Sequence, residues 1–399
     1  MSRIVRVISE DETAEYLRVN AHGFAFRPDP TSPTGLDGDS DRRFALFDDG
    51  QMVGVGRNFS MTLTMPGGTS VGAGGVSWIA VHPLHRRRGV MAALIEALVA
   101  DSDHRGEFAS ILTASEGSIY WGRGYGPATW GMAGDIDVAS RPSLFPGPAP
   151  TGSMRLESTA LADLAALVAS LIPIFDRALD QPGMVSRPAH WWGPYVHGIT
   201  AGPHYSTCAI HTNAAGVDDG YVIYRAAGER SRDLVPDKVL EIKDFIAVSA
   251  EAQRSLWRHL LERDLVRTIR AERLAASDPI RLMLRDGRAF QTRGVFDRLW
   301  IRPINTYALL SARTYGVGEP VVIGVDGEVF RVSNDGVERV DHAADLTMGG
   351  AALGAALLGG TDIGALVHSG RVLEHRDGAG RDGSVLFRCT PDPVMLTNF

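Results

Sequence analysis

The 399-residue sequence predicts an α/β (α+β) fold in more than one domain, on three observations. Residues 76–97, VSWIAVHPLHRRRGVMAALIEA, pass from a β-branched apolar run through a basic, glycine-containing loop into strong helix formers. Short apolar runs alternate with segments of helical period along most of the chain. The length also exceeds what one compact core organises, while 44% hydrophobic and 22% charged residues are ordinary for a globular protein.

In order, residues 5–7 read as a strand. Ser9-Glu10-Asp11-Glu12 supplies an N-cap and an acidic first turn for a helix to about His22, stopped by Gly23. Residues 27–43 form a Pro/Gly/Asp-rich loop whose carboxylates (Asp29, Asp37, Asp39, Asp41) suit either a cationic substrate or a solvated surface. Residues 44–47 and 52–56 flank Asp48-Asp49-Gly50-Gln51 as a hairpin, and 60–66 and 69–79 continue a meander. The strand at 76–81 stops at His82-Pro83, where proline removes a donor.

Strand, basic glycine loop and helix place free N–H groups and a positive helix end at one point, which suits an anion such as a pyrophosphate. An ordinary βα unit with solvated arginines is the alternative. A further strand at 108–113 and a helical turn at 119–123 lead to Gly124-Tyr125-Gly126-Pro127, a tight turn. Residues 130–138 are expected to close the first domain as a strand.

Residues 141–152, with four prolines and two glycines, read as a linker. Leucines at helical spacing predict a helix over 156–171. Strands at 206–212, 220–225 and 239–248 and a helix at 249–262 follow. His190-Trp191-Trp192 is read as core or subunit contact. A helix fragment at 309–315 precedes a hairpin around Asp326-Gly327. The run 349–360 holds five glycines and suits closely packed backbone rather than a free-standing helix. Apolar residues continue to Phe399, and an ending of that kind suggests a docked terminus.

HRRRG at 85–89, ASEG at 114–117 and GYGPAT at 124–129 together resemble the Eis family of GNAT-type N-acetyltransferases. The family loop reads Arg/Gln-x-x-Gly-x-Gly/Ala, so Met91 departs at the last position. The resemblance implies a first GNAT domain (1–145) whose central parallel strands splay apart to take acetyl-CoA. It implies a second, degenerate GNAT-like domain (153–290) and a sterol-carrier-protein-like domain (295–399) that ends in the terminal carboxylate.

Carried over residue by residue, it assigns acetyl-CoA as co-substrate to Ile79, Ala80, Val81, Arg87, Arg88, Gly89, Val90, Met91, Ala92, Tyr120 and Trp121. Trp78 stands where the family faces its substrate. Tyr125 matches the proton donor, and a phenol of pKa about 10 suits donation to a thiolate. The carboxylate of the last residue, here Phe399, takes the base role, with His82 or His85 as alternatives; Asn398 replaces a neighbouring acid.

Direct transfer is expected, because neither Cys208 nor Cys389 lies near the cofactor stretch. The implied acceptors are amines of aminoglycosides, at several positions; a protein lysine or a polyamine is the alternative acceptor, and a non-catalytic acyl-CoA or lipid-binding module the alternative class. A homo-hexamer is the implied assembly. The net charge of −7 argues against nucleic-acid and anionic-membrane partners. Two cysteines make neither a disulfide framework nor a metal site. With no apolar run resembling a signal peptide or a membrane span, a cytoplasmic location is expected.

Overall fold

The short apolar runs pair into three sheets among the residues described, which in this computed structural model are 3–25, 38–228, 238–397 and 399. The first sheet begins with β1 (Arg3–Val7), β2 (Arg43–Asp48), β3 (Gln51–Thr64) and β4 (Ser70–Val81), neighbours in that order and antiparallel throughout. Asp49 and Gly50, at φ 47° and 82°, make the predicted two-residue turn between β2 and β3. β5 (Ala109–Thr113) then pairs with β4 in parallel.

Alternation along β2 sends its side chains to opposite faces. Ala45 and Phe47 meet Tyr16 and Val19 of helix α1 (Thr13–Phe24). Leu46 meets Val90 and Leu94 of helix α2 (Val90–His104). Leu94, Ile95 and Leu98 are fully buried, worth about 1.5–3 kcal/mol each.

Ser9 caps a short 3₁₀ turn before α1, and the structure adds a capping box between Ser9 and Glu12. Gly23 does not stop the helix, which runs to Phe24 with Ala25 left-handed at φ 55°. Its role is close approach: a Cβ there would lie 2.5 Å from Ala80 Cβ on β4. Gly23→Ala is therefore expected to destabilise the protein by about 1–3 kcal/mol, read as a lowered melting temperature.

After the short helix α3 (Gly117–Trp121) comes β6 (Gly126–Pro127). The strand expected to close the first domain forms as β7 (Trp130–Asp137), yet it pairs in the second sheet. That sheet continues with β8 (Ser153–Glu157), β9 (Ser206–Thr212), β10 (Asp218–Ala227), β11 (Lys238–Ala247), β12 (Val266–Ala275) and β13 (Phe290–Asp297), in the order β13-β7-β12-β11-β10-β9-β8. In return β14 (Leu299–Pro303) enters the first sheet between β5 and β6. An apolar strand satisfies any open edge, so local pattern does not say which sheet receives it.

The expected helix at 156–171 is displaced to α4 (Leu164–Ala178), because Leu156 belongs to β8 on the edge of the second sheet. Helix α5 (Ala189–Thr200) carries Trp191 and Trp192 into the core, while His190 faces Asp39. Between the sheets, buried Arg187 pairs with Asp244 at 2.9 Å under Phe175, Trp192 and Tyr195. Helix α6 (Ala250–Leu261) is capped by Ser249.

The third sheet comprises β15 (Val321–Val325), β16 (Glu328–Ser333), β17 (Gly336–Arg339), β18 (Leu346–Met348) and β19 (Val372–Glu374), in the order β17-β16-β15-β18-β19. The helix fragment expected at 309–315 lies earlier, at Thr306–Ser311. The glycine-rich run forms the helix Gly350–Ala356 pressed onto strand backbone: a Cβ on Gly354 would meet Ile301 O, and one on Gly126 would meet Ala351 O. Cys208 and Cys389 are buried free thiols. No helix among the described residues is long and apolar enough to cross a membrane.

Candidate active site

β4 and β5 stay paired for only three rungs: Ala73 with Ala109, Gly74 with Ser110, and Gly75 with Ile111. Beyond them β4 runs on to Val81 and β5 to Thr113, so the sheet forks. A register shift opposite Val55 and Arg57 marks a bulge in β4, and Trp78 within it sits at φ 56°. Left-handed backbone at a large residue is costly and here turns the strand at the fork. Asn20 holds the bulge by donating to Trp78 O at 3.2 Å.

Two clefts open from the fork. One, of about 730 Å³, is lined by Ile79, Ala80, Val81, Arg87, Gly89, Val90, Met91, Ala92 and Tyr120, together with Glu116 and Arg123. At its end Arg87 and Gly89 are both left-handed, at φ 61° and 79°. Gly89 is the N-cap of α2, no side chain caps that helix end, and a Cβ on Gly89 would meet nothing within 4 Å. The first N–H groups of a 15-residue helix therefore face open space beside an arginine, a cradle that fits a pyrophosphate. Of its neighbours, Arg86 is anchored on Gly23 O at 3.2 Å, and Arg88 does not line the cleft.

The other cleft, of about 450 Å³, is lined by Phe24, Trp78, Thr113, Tyr120, Phe296, Asp297, Arg298 and Phe399, among others. Tyr120 borders both clefts. The chain terminus enters here: Thr113 Oγ1 donates to Phe399 O at 3.0 Å. The Phe399 ring lies over Gly75, 3.3 Å from where a Cβ would stand, at the last paired rung. Asp297 accepts from Trp300 Nε1 at 2.5 Å, and burial lowers the Arg298 pKa to about 10.

Tyr125 lines neither cleft. It is fully buried behind Tyr120, ring centroids 6.0 Å apart, and its hydroxyl shares a 2.6 Å hydrogen bond with Ser110 Oγ on the second rung of the fork. Burial raises its pKa well above the ordinary phenol value, so the proton stays on. Burial also raises Tyr120, with Glu116 adding to the effect.

Trp121 points away from both clefts, edge-on to Trp300 at 5.7 Å and beneath Arg371 at 3.6 Å. Helical geometry explains this, since neighbours Tyr120 and Trp121 project about 100° apart. His82 and His85 line neither cleft. Burial, with His85 and His22, lowers the His82 pKa. Asp39 accepts from Ser60 and Asp41 pairs with Arg105, whereas Asp29, Asp37 and Asn398 lie outside the described residues.

Sequence reasoning missed Phe296, Asp297 and Arg298, since they lie at the end of a second-sheet strand and just beyond it, more than 180 residues from the fork. It also missed Thr113 and Ser110, which carry no motif of their own.

A family described as an acetyltransferase (GNAT) domain matches residues 4–128, and a second family of the same description matches 183–302. The chain is 32% identical to an uncharacterized N-acetyltransferase of Streptomyces griseus over 97% of each chain. It is also 32% identical to N-acetyltransferase Eis of Mycobacterium tuberculosis, covering 81% of this chain and 79% of that protein. Among solved structures, Eis1 from Mycobacterium abscessus superposes with a TM-score of 0.89 at 32% identity, over 99% of this chain and 100% of that one. A GCN5-related N-acetyltransferase from Anabaena variabilis shares the fold, with a TM-score of 0.82 at 17% identity.

Proposed function

Because the chain belongs to the Eis family of GNAT-type N-acetyltransferases, we propose that it acetylates amines of aminoglycosides directly from acetyl-CoA. The supporting observation is the forked sheet, whose one cleft ends at a glycine-capped helix N-terminus while Phe399 enters the other, its O bonded to Thr113. That co-substrate supplies the acetyl group as a thioester.

The chain's residues orient the reactants and hold the protons. Val90, Met91 and Ala92 offer backbone N–H groups at the helix end, and Arg87 adds positive charge. The β4 edge from Ile79 to Val81 on the side away from β3, no longer paired with β5 beyond the fork, offers further backbone donors to a polarised carbonyl. The Phe399 carboxylate takes the proton that the amine must lose, and Tyr125, whose buried Oη is bonded to Ser110 at the second rung of the fork, is assigned to protonate a departing sulfur that reaches down into the fork.

The choice of acceptor rests on the second cleft. Asp297 and the terminal carboxylate bring negative charge, Trp78 and Phe296 offer flat apolar faces, and about 450 Å³ accommodates an aminosugar ring. Thiol release from acetyl-CoA tests this with a kanamycin-type aminoglycoside, a polyamine and a lysine peptide as acceptors. Aminoglycoside turnover well above the other two is expected; preference for the peptide or polyamine would overturn the acceptor assignment.

Gly89→Val tests the cradle. A β-branched residue at φ 79° costs about 1–2 kcal/mol of backbone strain and intrudes on the open face. The KM for acetyl-CoA is expected to rise about tenfold or more, with KM for the amine little changed.

A further inference from the structure

The last residues of the chain are held along their length before they reach the active cleft. The Val394 N–H donates to Pro182 O at 2.8 Å, and buried Thr397 donates through Oγ1 to Val185 O at 3.1 Å. The receiving segment is itself bonded to the end of β3, with Gly183 N on Thr64 O at 2.8 Å and Ser186 N on Thr62 O at 3.0 Å. Gly183, at φ 86°, allows the close approach: a Cβ there would lie 2.7 Å from Val394 O. One flank of the tail thus lies along backbone attached to the first sheet.

The other flank lies against the second sheet. Val394 and Leu396 line a cleft of about 240 Å³ with Phe245, Ala247, Leu274 and Asp278. There β11 and β12 part company: their parallel pairing ends at Ile242 with Ala271, although the strands run on to Ala247 and Ala275. This is the same kind of fork that β4 and β5 make in the first sheet. After β11, however, the chain reads Val248-Ser249-Ala250 straight into α6, with no arginine and no glycine to build an anion cradle. A fork without a cradle leaves apolar side chains to cover, and Val394 and Leu396 lie against Phe245, Ala247 and Leu274 there, beside Arg273 and Asp278.

We propose that the second domain's fork on one flank and the backbone of residues 182–185 on the other together seat the chain's own C-terminal segment, with Leu396 in the fork and Thr397 on Val185 as positioning residues that fix where Phe399 presents its carboxylate. The catalytic consequence rests on the reading of that carboxylate as the base. A two-residue step separates Thr397 from Phe399, so slack at the seat becomes displacement at the carboxylate, and small misplacements of a reacting group lower rates strongly.

The experiment compares wild type with Leu396→Asp, Thr397→Val and Thr397→Ser in the full-length protein. Carboxypeptidase release of the terminal phenylalanine is followed by mass spectrometry, beside kcat and the Kd for acetyl-CoA. Wild type and Thr397→Ser are expected to resist trimming. Trimming should accelerate about 5-fold in Thr397→Val, the equivalent of one lost hydrogen bond, and at least tenfold in Leu396→Asp. In both, kcat falls in parallel while Kd for acetyl-CoA changes less than twofold. Thr397→Val introduces no buried charge and repeats the test should Leu396→Asp fail to fold. Trimming at the wild-type rate in both variants overturns the seat, whatever happens to kcat. Accelerated trimming with kcat unchanged supports the seat and overturns the terminal base instead.

Discussion

Tyr125→Phe is expected to lower kcat by about 10²–10³-fold, the usual scale for loss of a positioned proton donor. The ring remains, so packing against Tyr120 survives; only the hydroxyl bonded to Ser110 is lost. Leaving Ser110 Oγ without that partner costs about 1 kcal/mol of stability, far too little to unfold the protein. Acetyl-CoA binding, measured by calorimetry, should be unchanged, because Tyr125 lines neither cleft.

The control is Tyr120→Phe, whose parent side chain borders both clefts; kcat there should stay within a few-fold of wild type. A large loss at Tyr120 with little at Tyr125 would exchange their roles. The direction of the Tyr125 shift adds a pH expectation. Burial raises its folded pKa above the unfolded value of about 10, so the phenol keeps its proton throughout the neutral range. Any alkaline fall in kcat belonging to Tyr125 should therefore begin above about pH 10. The stability linked to this group is complete below that pH and is lost as pH rises further.

Extending the chain by one residue past Phe399 is expected to lower kcat by about 10²-fold or more. Each extended residue advances the backbone by about 3.3–3.6 Å, so the carboxylate leaves its place beside Thr113 and a neutral amide replaces it. Amidation of the natural terminus removes the charge without adding bulk and should have nearly the same effect, which separates chemistry from crowding. Phe399→Leu keeps the carboxylate and should lose much less. Full activity after both extension and amidation would exclude the terminal base. His82 and His85 lie outside the acceptor cleft, so Asp297, which lines it, would then be the first side chain to replace.

The cleft we propose for the cofactor was legible because its parts are contiguous. One strand, one glycine loop and one helix form in a single run of sequence, residues 76–97, and the local rules of chain direction and helix polarity suffice to assemble them. The turns at Asp49-Gly50 and Asp326-Gly327 were legible for the same reason, since a left-handed pair is demanded by two neighbouring residues. The apolar ending that leads to Phe399 announced a docked terminus.

The acceptor end was not legible. Phe296 and Asp297 end a strand of the second sheet and Arg298 follows it, and nothing near them in sequence reports that they face Trp78 and Phe399. Gly23 carried a stop signal, yet its reason is the Ala80 methyl on β4, which no local rule contains. Trp121 belonged to a motif whose backbone is placed as expected while its ring points to Trp300.

By itself, then, the sequence determined short strands, the two hairpin turns and the strand–glycine loop–helix run at 76–97, all set by interactions between residues a few positions apart. Tertiary structure alone decided which sheet received β7 and β14, and what met the terminus. The physical reason is that strand edges offer the same N–H and C=O groups to any apolar partner. The choice among partners is made by packing over the whole molecule, which brings Ser110 to Tyr125 and Thr113 to Phe399.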